Sequence, residues 1–369
     1  MAQPGGFKAF LPRPLPPEPP ITLDRELQHG LSQADRAIGR LDGSVETLPN
    51  PDLFVYMYVR KEAVLSSQIE GTQSSLQDLL AAEAHIAEGV PRDVDEVLNY
   101  VRAMNFGLQR LEELPVSARL IREIHRELLH DVRGHHLTPG ELRRTQNWIG
   151  PAGSTIATAS FVPPPPHEVP GLLGDLETFL HDDTTLPLLI KIGLAHAQFE
   201  TIHPFLDGNG RVGRLLITFL LCEHGALGKP VLFLSHFFKR HRQEYYERLQ
   251  AVRDHGDWEG WLRFFLRGVA EVSVEAAETA RRILSMREDH RRQINDVMGR
   301  VAGNGHRVLE RLYEKPVVSV DDVRQITGTT FPAANDVVQR LVNLQILREM
   351  TGRARNRRFL YAPYVALFN

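Results

Sequence analysis

The sequence has a single cysteine, Cys222, among 369 residues, which excludes an internal disulfide and any cluster of thiolate ligands. It has no long apolar stretch. The longest, Leu215 to Cys222, is eight residues and contains Thr218, far short of the ~20 needed to cross a bilayer as a helix. It has no surplus of either charge. Forty-three Lys+Arg against 46 Asp+Glu leave a net charge of -3, so a general basic coat for nucleic acid is excluded and only a local patch remains open. The first residues carry no basic-then-apolar leader. From these absences the expectation is a cytoplasmic chain with no membrane contact. What is present, 42% hydrophobic and 24% charged residues, suits a globular protein of this length with two or three cores, not a disordered or fibrous one.

Residues 1–22, with seven prolines in the first 20, read as an extended strap. From 23 to 115 apolar residues recur at three- and four-residue spacing, the helical period. Ser75 with Asp78 forms a capping-box pattern before Leu79. Residues 116–270 continue as helices, expected at 171–181, 187–200, 210–224 and 238–270. They are interrupted at 145–166 by a turn-rich, β-branched segment that predicts a small hairpin. A charged helix over 271–303 is expected to link to the last unit, with Gly303-Asn304-Gly305 as its break. Over 304–369 the pattern is three helices (306–313, 319–326, 332–344) and then strands at Ile346-Leu347 and Phe359–Tyr361, the order of a winged helix-turn-helix.

The informative segment is His203-Pro204-Phe205-Leu206-Asp207-Gly208-Asn209-Gly210-Arg211-Val212-Gly213-Arg214. It opens a helix with the apolar face Leu215, Leu216, Phe219 and Leu220. Glycines before a helix N-terminus let backbone N–H groups close on an anion, and the helix dipole favours negative charge there. Arg211 and Arg214, three apart, can both point across one turn toward phosphate oxygens. Asp207 is a hard oxygen ligand suited to Mg²⁺ on a nucleotide, and His203 takes a proton near neutral pH. Base, metal ligand, anion cradle and charge clamps are the parts of phosphoryl or nucleotidyl transfer.

A lone Gly-Asn-Gly is usually just a turn before a helix. This segment, however, matches the signature H-x-F-x-D-G-N-G-R-x-x-R at all eight fixed positions. At ~5% usage per residue type, a chance match is on the order of 10⁻⁸. The chain therefore resembles the Fic family from about residue 50 to 270. Pro139–Arg143 with Trp148-Ile149-Gly150, and Phe161-Val162-Pro163-Pro164, are similar to the flanks of that family's target-docking hairpin.

The resemblance implies a helical Fic fold with a small β-hairpin flap and transfer of AMP from ATP to a Ser, Thr or Tyr hydroxyl. His203 would be the base, and Asp207 would hold Mg²⁺, with Mn²⁺ an alternative. Gly208, Asn209, Gly210, Val212 and Gly213 would belong to the ATP-binding stretch, with Arg211 and Arg214 on the phosphates. Phe205 would anchor the loop, and Tyr245 and Tyr246 would contact adenine. Gly210 stands where the family's kinase-like branch has lysine, which argues against γ-phosphate transfer.

Upstream, Ser66-Ser67-Gln68-Ile69-Glu70-Gly71 is similar to the family's inhibitory pattern [S/T]-x-x-x-E-[G/N]. Ser66 and Glu70 would share a helix face, Gly71 would let the helix press on another backbone, and Glu70 would take the γ-phosphate's place on Arg214. The expected partners are a target protein on the flap and the chain itself by self-modification, with a homodimer left open. His135, His136 and His196 show no ligand-type spacing. DNA binding through Pro332–Leu344 and the arginines at 353, 355, 357 and 358 is the less favoured reading, since that helix carries Asp336 and only Arg340 as a basic residue. Other readings are a nucleotide-sensing DNA-binding regulator, AMP removal, or use of another nucleotide. Every candidate catalytic residue precedes residue 270.

Overall fold

The computed structural model describes all residues except 2, 4–5, 49, 87–89, 133–136, 152, 183–185 and 369. Helices make up 63% of the described residues, so the fold is mostly helical, and the sole sheet among them has three short strands. His135 and His136 lie outside the described residues.

The strap runs extended to Thr22, after which Asp24 caps α1 (Arg25–Glu46) by accepting from the Leu27 amide. α1 presents Leu27, Ala34, Ile38, Leu41 and Val45 to one long helix, α11 (Trp258–Met298). α2 (Pro51–Ile69) starts with Asn50 as cap and proline in its first turn, where the missing N–H costs nothing. The Ser75–Asp78 capping box opens α3 (Leu76–Glu83) as expected. α4 (Val94–Arg110) and α5 (Ala118–Leu128) pack on each other.

α6 (Val169–His181), α7 (Leu188–Ile202) and α8 (Asn209–Glu223) fall where the sequence places them. α7 is buried on every side from Leu189 to Ile202, Lys191, His196, Gln198 and Glu200 included, so it shows no amphipathic face. The helix expected over 238–270 is instead α9 (Ser235–Arg240), α10 (Arg242–His255) and the start of α11. Gly256 terminates α10 in the left-handed region, and the Asp257 side chain caps α11.

Three expectations are corrected. The flap is no two-stranded hairpin: a single antiparallel bridge, Ile149 to Phe161, closes it, and Thr155–Thr158 forms a turn. Pro163 to Pro166 have no amide hydrogens with which to extend the ladder. The helix expected to start at 271 is not separate: α11, 41 residues long, runs through 270 without interruption to a break at Gly299 (φ 53°). Gly303-Asn304-Gly305 lies inside α12 (Ala302–Glu314).

The last unit continues with β1 (Val317–Ser319), α13 (Val320–Thr327), α14 (Phe331–Asn343), β2 (Arg348–Glu349), β3 (Arg358–Leu360) and α15 (Ala362–Ala366). β3 is the central strand of the order β1-β3-β2. β1 and α15 have no counterpart in the sequence reading. β2 begins one residue after the expected Ile346-Leu347, whose side chains are buried in the core. α12 and the C-terminal Phe368 pack on α2, the ring of Phe368 lying 5.3 Å from that of Tyr58.

Candidate active site

α7 ends at His203, which adopts the left-handed conformation (φ 50°, ψ 61°), and α8 begins after Gly208 in the same region. The six-residue loop between them, 203–208, is shaped by its own polar groups and by Asn209. Asn209 accepts from the Phe205 amide and donates to the Phe205 carbonyl, both at 2.8 Å. Its side chain is therefore spent on the loop, while the backbone N–H groups in the first turn of α8 have no intrahelical acceptor. Phe205 is fully buried and stacks on His125 at 3.7 Å with the rings 4° from parallel.

His125 is a residue the sequence reading missed. Its Nε2–H donates to the Asp207 carbonyl at 3.0 Å, and its Nδ1 accepts from the Gly140 amide at 2.8 Å. Those two bonds require the neutral ring, and burial pushes its pKa down to about 4. Arg143, also missed in this role, is buried and donates to the carbonyls of His203 (2.9 Å) and Pro164 (2.5 Å), bracing the end of α7 against the end of the flap. Asn147 adds a third tie, donating to the Phe205 carbonyl at 2.9 Å. In the sequence these residues look like ordinary helix and turn positions; only their spacing in space marks them.

The imidazole of His203 is held neutral. Burial, then the charges of Arg253 and Arg143, depress its pKa to about 3, and its Nδ1 makes no hydrogen bond. A neutral imidazole is the form that accepts a proton. Asp207 has a 35% exposed side chain beside Arg211 Nη2 at 3.6 Å, and one of its oxygens accepts from the Gly208 amide at 2.7 Å.

Arg211 and Arg214 do not share a direction, contrary to the expectation from their spacing. Arg211 turns to Glu96 of α4 (3.3 Å) and to Asp207, whereas Arg214 turns to α2. There Arg214 donates from Nε to Ser66 Oγ (2.8 Å) and from Nη2 to the Ser66 carbonyl (3.0 Å) and Glu70 Oε1 (2.7 Å). Burial opposes charge on both partners, but their mutual attraction wins. The carboxyl of Glu70 lies below its usual range and the guanidinium of Arg214 above its own. A Cβ on Gly210 would sit 2.3 Å from Glu70 Oε1, so the carboxylate lies directly against the start of α8.

Gly71 serves differently from the expectation: a Cβ there would meet nothing within 4 Å. It is needed for φ 102°, which turns the chain as α2 ends and leaves Glu70 as its C-cap.

Two of the residues expected to contact ATP are buried. Val212 is wholly buried in the core. Tyr245 is 1% exposed, with its hydroxyl donating to His196 Nε2 at 2.9 Å, while His196 Nδ1–H donates to the Gly213 carbonyl at 2.9 Å. Tyr245 and His196 thus set the position of α8 from behind. Tyr246 is 41% exposed and faces the same electrostatic field as Glu70 and Arg214, a placement open to a ligand. Gly213 makes room for Glu200, another residue the sequence reading missed, whose Oε1 would lie 2.4 Å from a Cβ there. Burial raises the Glu200 carboxyl to about 7.

The donor set fits a nucleotide-borne cation. Among the described residues no group of three His, Cys, Asp or Glu forms a closed metal site; the expected ligand Asp207 has a part-exposed carboxylate, and Mg²⁺ can be held by one carboxylate plus phosphate and water oxygens.

Residues 29–109 match the Fic/DOC family N-terminal model and residues 115–221 the Fic/DOC family model. A probable protein adenylyltransferase of Aquifex aeolicus is 30% identical over 205 residues, which are 54% of this chain and 57% of that protein. The protein adenylyltransferase Fic of Drosophila grimshawi is 30% identical over 210 residues, 56% of this chain and 38% of that protein. The chain thus spans at most 57% of the length of these curated relatives. A crystal structure of a Fic family protein from Desulfovibrio desulfuricans shares the fold, with TM-score 0.63 at 22% identity over 93% of this chain and 98% of that one.

Proposed function

Because the chain belongs to the Fic/DOC family, we propose that it is a protein adenylyltransferase, moving AMP from ATP to a Ser, Thr or Tyr hydroxyl, and that Glu70 holds it in an inactive state. The observation that carries this reading is the Glu70 carboxylate lying between Gly210 and Arg214, which marks the start of α8 as a place with room and charge for an anion.

When Glu70 withdraws, Arg214 is free for the γ-phosphate and the first-turn amides of α8 for the phosphates that follow. His203 takes the proton of the incoming hydroxyl. The hydroxyl oxygen bonds to the α-phosphorus as the bond to the bridging oxygen breaks, and diphosphate leaves. A Mg²⁺ or Mn²⁺ ion on the nucleotide would neutralise phosphate charge. Asp207 would hold that ion, oriented by Arg211 and by the His125 bond to its own carbonyl. Asn209 and Phe205 keep the loop in shape, and Tyr246 is the residue left for adenine.

The element order α12–α13–α14 with β1, β2 and β3 supports reading residues 304–369 as a winged helix. Arg340 is paired with Asp336 at 2.8 Å and Arg357 with Asn335 at 2.8 Å, which favours a docking unit over a duplex reader. Among the described residues no helix is long and apolar enough to cross a membrane.

The test is incubation of the Glu70→Gly chain with ATP and Mg²⁺, with label on the α- or the γ-phosphate. AMP transfer puts the α-label and an AMP mass on the protein. Only γ-label on the protein, or no adduct in a folded chain, would reject the reading.

A further inference from the structure

The flap is the extended backbone that the structure ties to the motif loop, through Asn147 on the Phe205 carbonyl and through Arg143, which bonds both the His203 and Pro164 carbonyls. A segment that presents a hydroxyl to His203 would pair along such backbone, by strand addition. One edge is already taken. The Phe10 amide donates to the Val162 carbonyl at 2.9 Å, and the Phe10 ring lies 5.8 Å from that of Phe161. The Arg253 guanidinium lies 3.9 Å from the Phe161 ring centroid. The strap then follows α7, where Gln198 donates to the Arg13 carbonyl at 2.8 Å, and it walls a cavity of about 310 Å³ with Thr201, Val252 and Arg253. Pro12 and Pro17 are buried there.

Resting on the adenylyltransferase reading, we propose that residues 7–18 are an intramolecular occupant of the target-docking edge, a pseudosubstrate without an acceptor. Two features of the strap support this. Residues 7–18 carry no Ser, Thr or Tyr, and Thr22, the next hydroxyl, lies past the flap with its amide bonded to Glu259, so nothing on the edge can be modified. The strap is also built to bind weakly. In an extended segment the amides facing one neighbour recur every second residue, and after Phe10 those positions are Pro12 and Pro14, which have none. Pairing ends after one rung. A target segment with an unbroken run of amides gains rungs the strap cannot make, and so displaces it. The partner that fits is an extended segment with a large apolar side chain against Phe161. This control is separate from Glu70: one occupant covers the nucleotide's anion site, the other the acceptor's edge.

The experiment has two arms. In the first, a fluorescent synthetic peptide of residues 7–18 is titrated into the full chain and into Phe10→Pro, which lacks the amide and the ring. Phe10→Ala serves as a second variant, and thermal melting as the control for folding. Binding at least tenfold tighter to the variants is expected; equal binding, or none to any chain, would overturn the proposal whatever the enzyme does. In the second, labelled AMP transfer from Glu70→Gly to an added His203→Ala chain is compared with transfer from Glu70→Gly/Phe10→Pro. A rise of at least threefold is expected with ATP affinity unchanged. An unchanged or lower rate would also overturn it. Absence of transfer from Glu70→Gly itself would instead reject the adenylyltransferase reading, leaving the peptide arm to decide whether the strap is displaceable.

Discussion

Glu70 Oε1 lies 2.7 Å from Arg214 Nη2, joining the end of α2 to the first turns of α8 across 144 residues of chain. The contact sits at a mouth: the Glu70 side chain is 35% exposed and that of Arg214 is 2% exposed. The arginine is therefore fixed by Ser66 and by burial, and the glutamate is the partner that can leave.

His203 should be the proton acceptor and nothing else. His203→Ala in the Glu70→Gly background should lower the transfer rate by about 10²–10⁴-fold. Calorimetric ATP affinity should stay within about threefold, since the clamp is Arg214. Residual transfer at the full rate would contradict the assignment.

The pH profile carries a sign. His203 is depressed to about 3, so its neutral form persists well below the ordinary histidine pKa, and kcat/KM of Glu70→Gly should show no His203 limb between pH 5.5 and 7.5. Glu70 is depressed too, so its bond to Arg214 is present above the usual carboxylate range and lost only as pH falls through the lower folded value. The unmodified chain should therefore not be activated by acidification to pH 5. Activation between pH 6 and 5 in initial-rate measurements would contradict this.

Gly71 should act through backbone strain. Gly71→Ala places a Cβ at φ 102° with open space around it, so the cost is conformational, about 1–3 kcal/mol. The α2 end relaxes, Glu70 is less well held, and transfer should rise above that of the unmodified chain but stay below that of Glu70→Gly. The check is adduct yield by mass spectrometry alongside thermal melting.

The C-terminal unit should matter for stability. Phe368 is 2% exposed and packs on Tyr58 of the helix that ends in Glu70. Phe368→Ala should destabilise the chain by about 3 kcal/mol in denaturant unfolding. An unchanged midpoint would show that the two units are independent.

Where the sequence was legible, the physics was local. A capping box such as Ser75–Asp78 needs only a three-residue offset, and α6, α7 and α8 are bounded by prolines, turns and glycines that break a helix by their own chemistry. The motif from His203 to Arg214 likewise sits in one short stretch. What was hidden depends on distant partners. His125 is 82 positions from Asp207, Arg143 is 60 from His203, and the strap meets the flap only in three dimensions. The divergence of Arg211 from Arg214 is also tertiary: helical spacing puts both on one side, but Glu96 draws one and Ser66 with Glu70 the other. Tyr245 and Tyr246 are neighbours in sequence, and only the fold separates Tyr245, bonded to His196, from the exposed Tyr246.

The central claim is that Glu70 restrains transfer by occupying Arg214, and the most direct measurement is the α-labelled AMP yield of four chains: unmodified, Glu70→Gly, Arg214→Ala, and both together. The account predicts a rise of well over tenfold for Glu70→Gly and a return toward the unmodified level when Arg214→Ala is added, because the freed clamp is then missing, with all four chains folded by thermal melting. Equal yields from Glu70→Gly with and without Arg214, or no rise from Glu70→Gly at all, would contradict it.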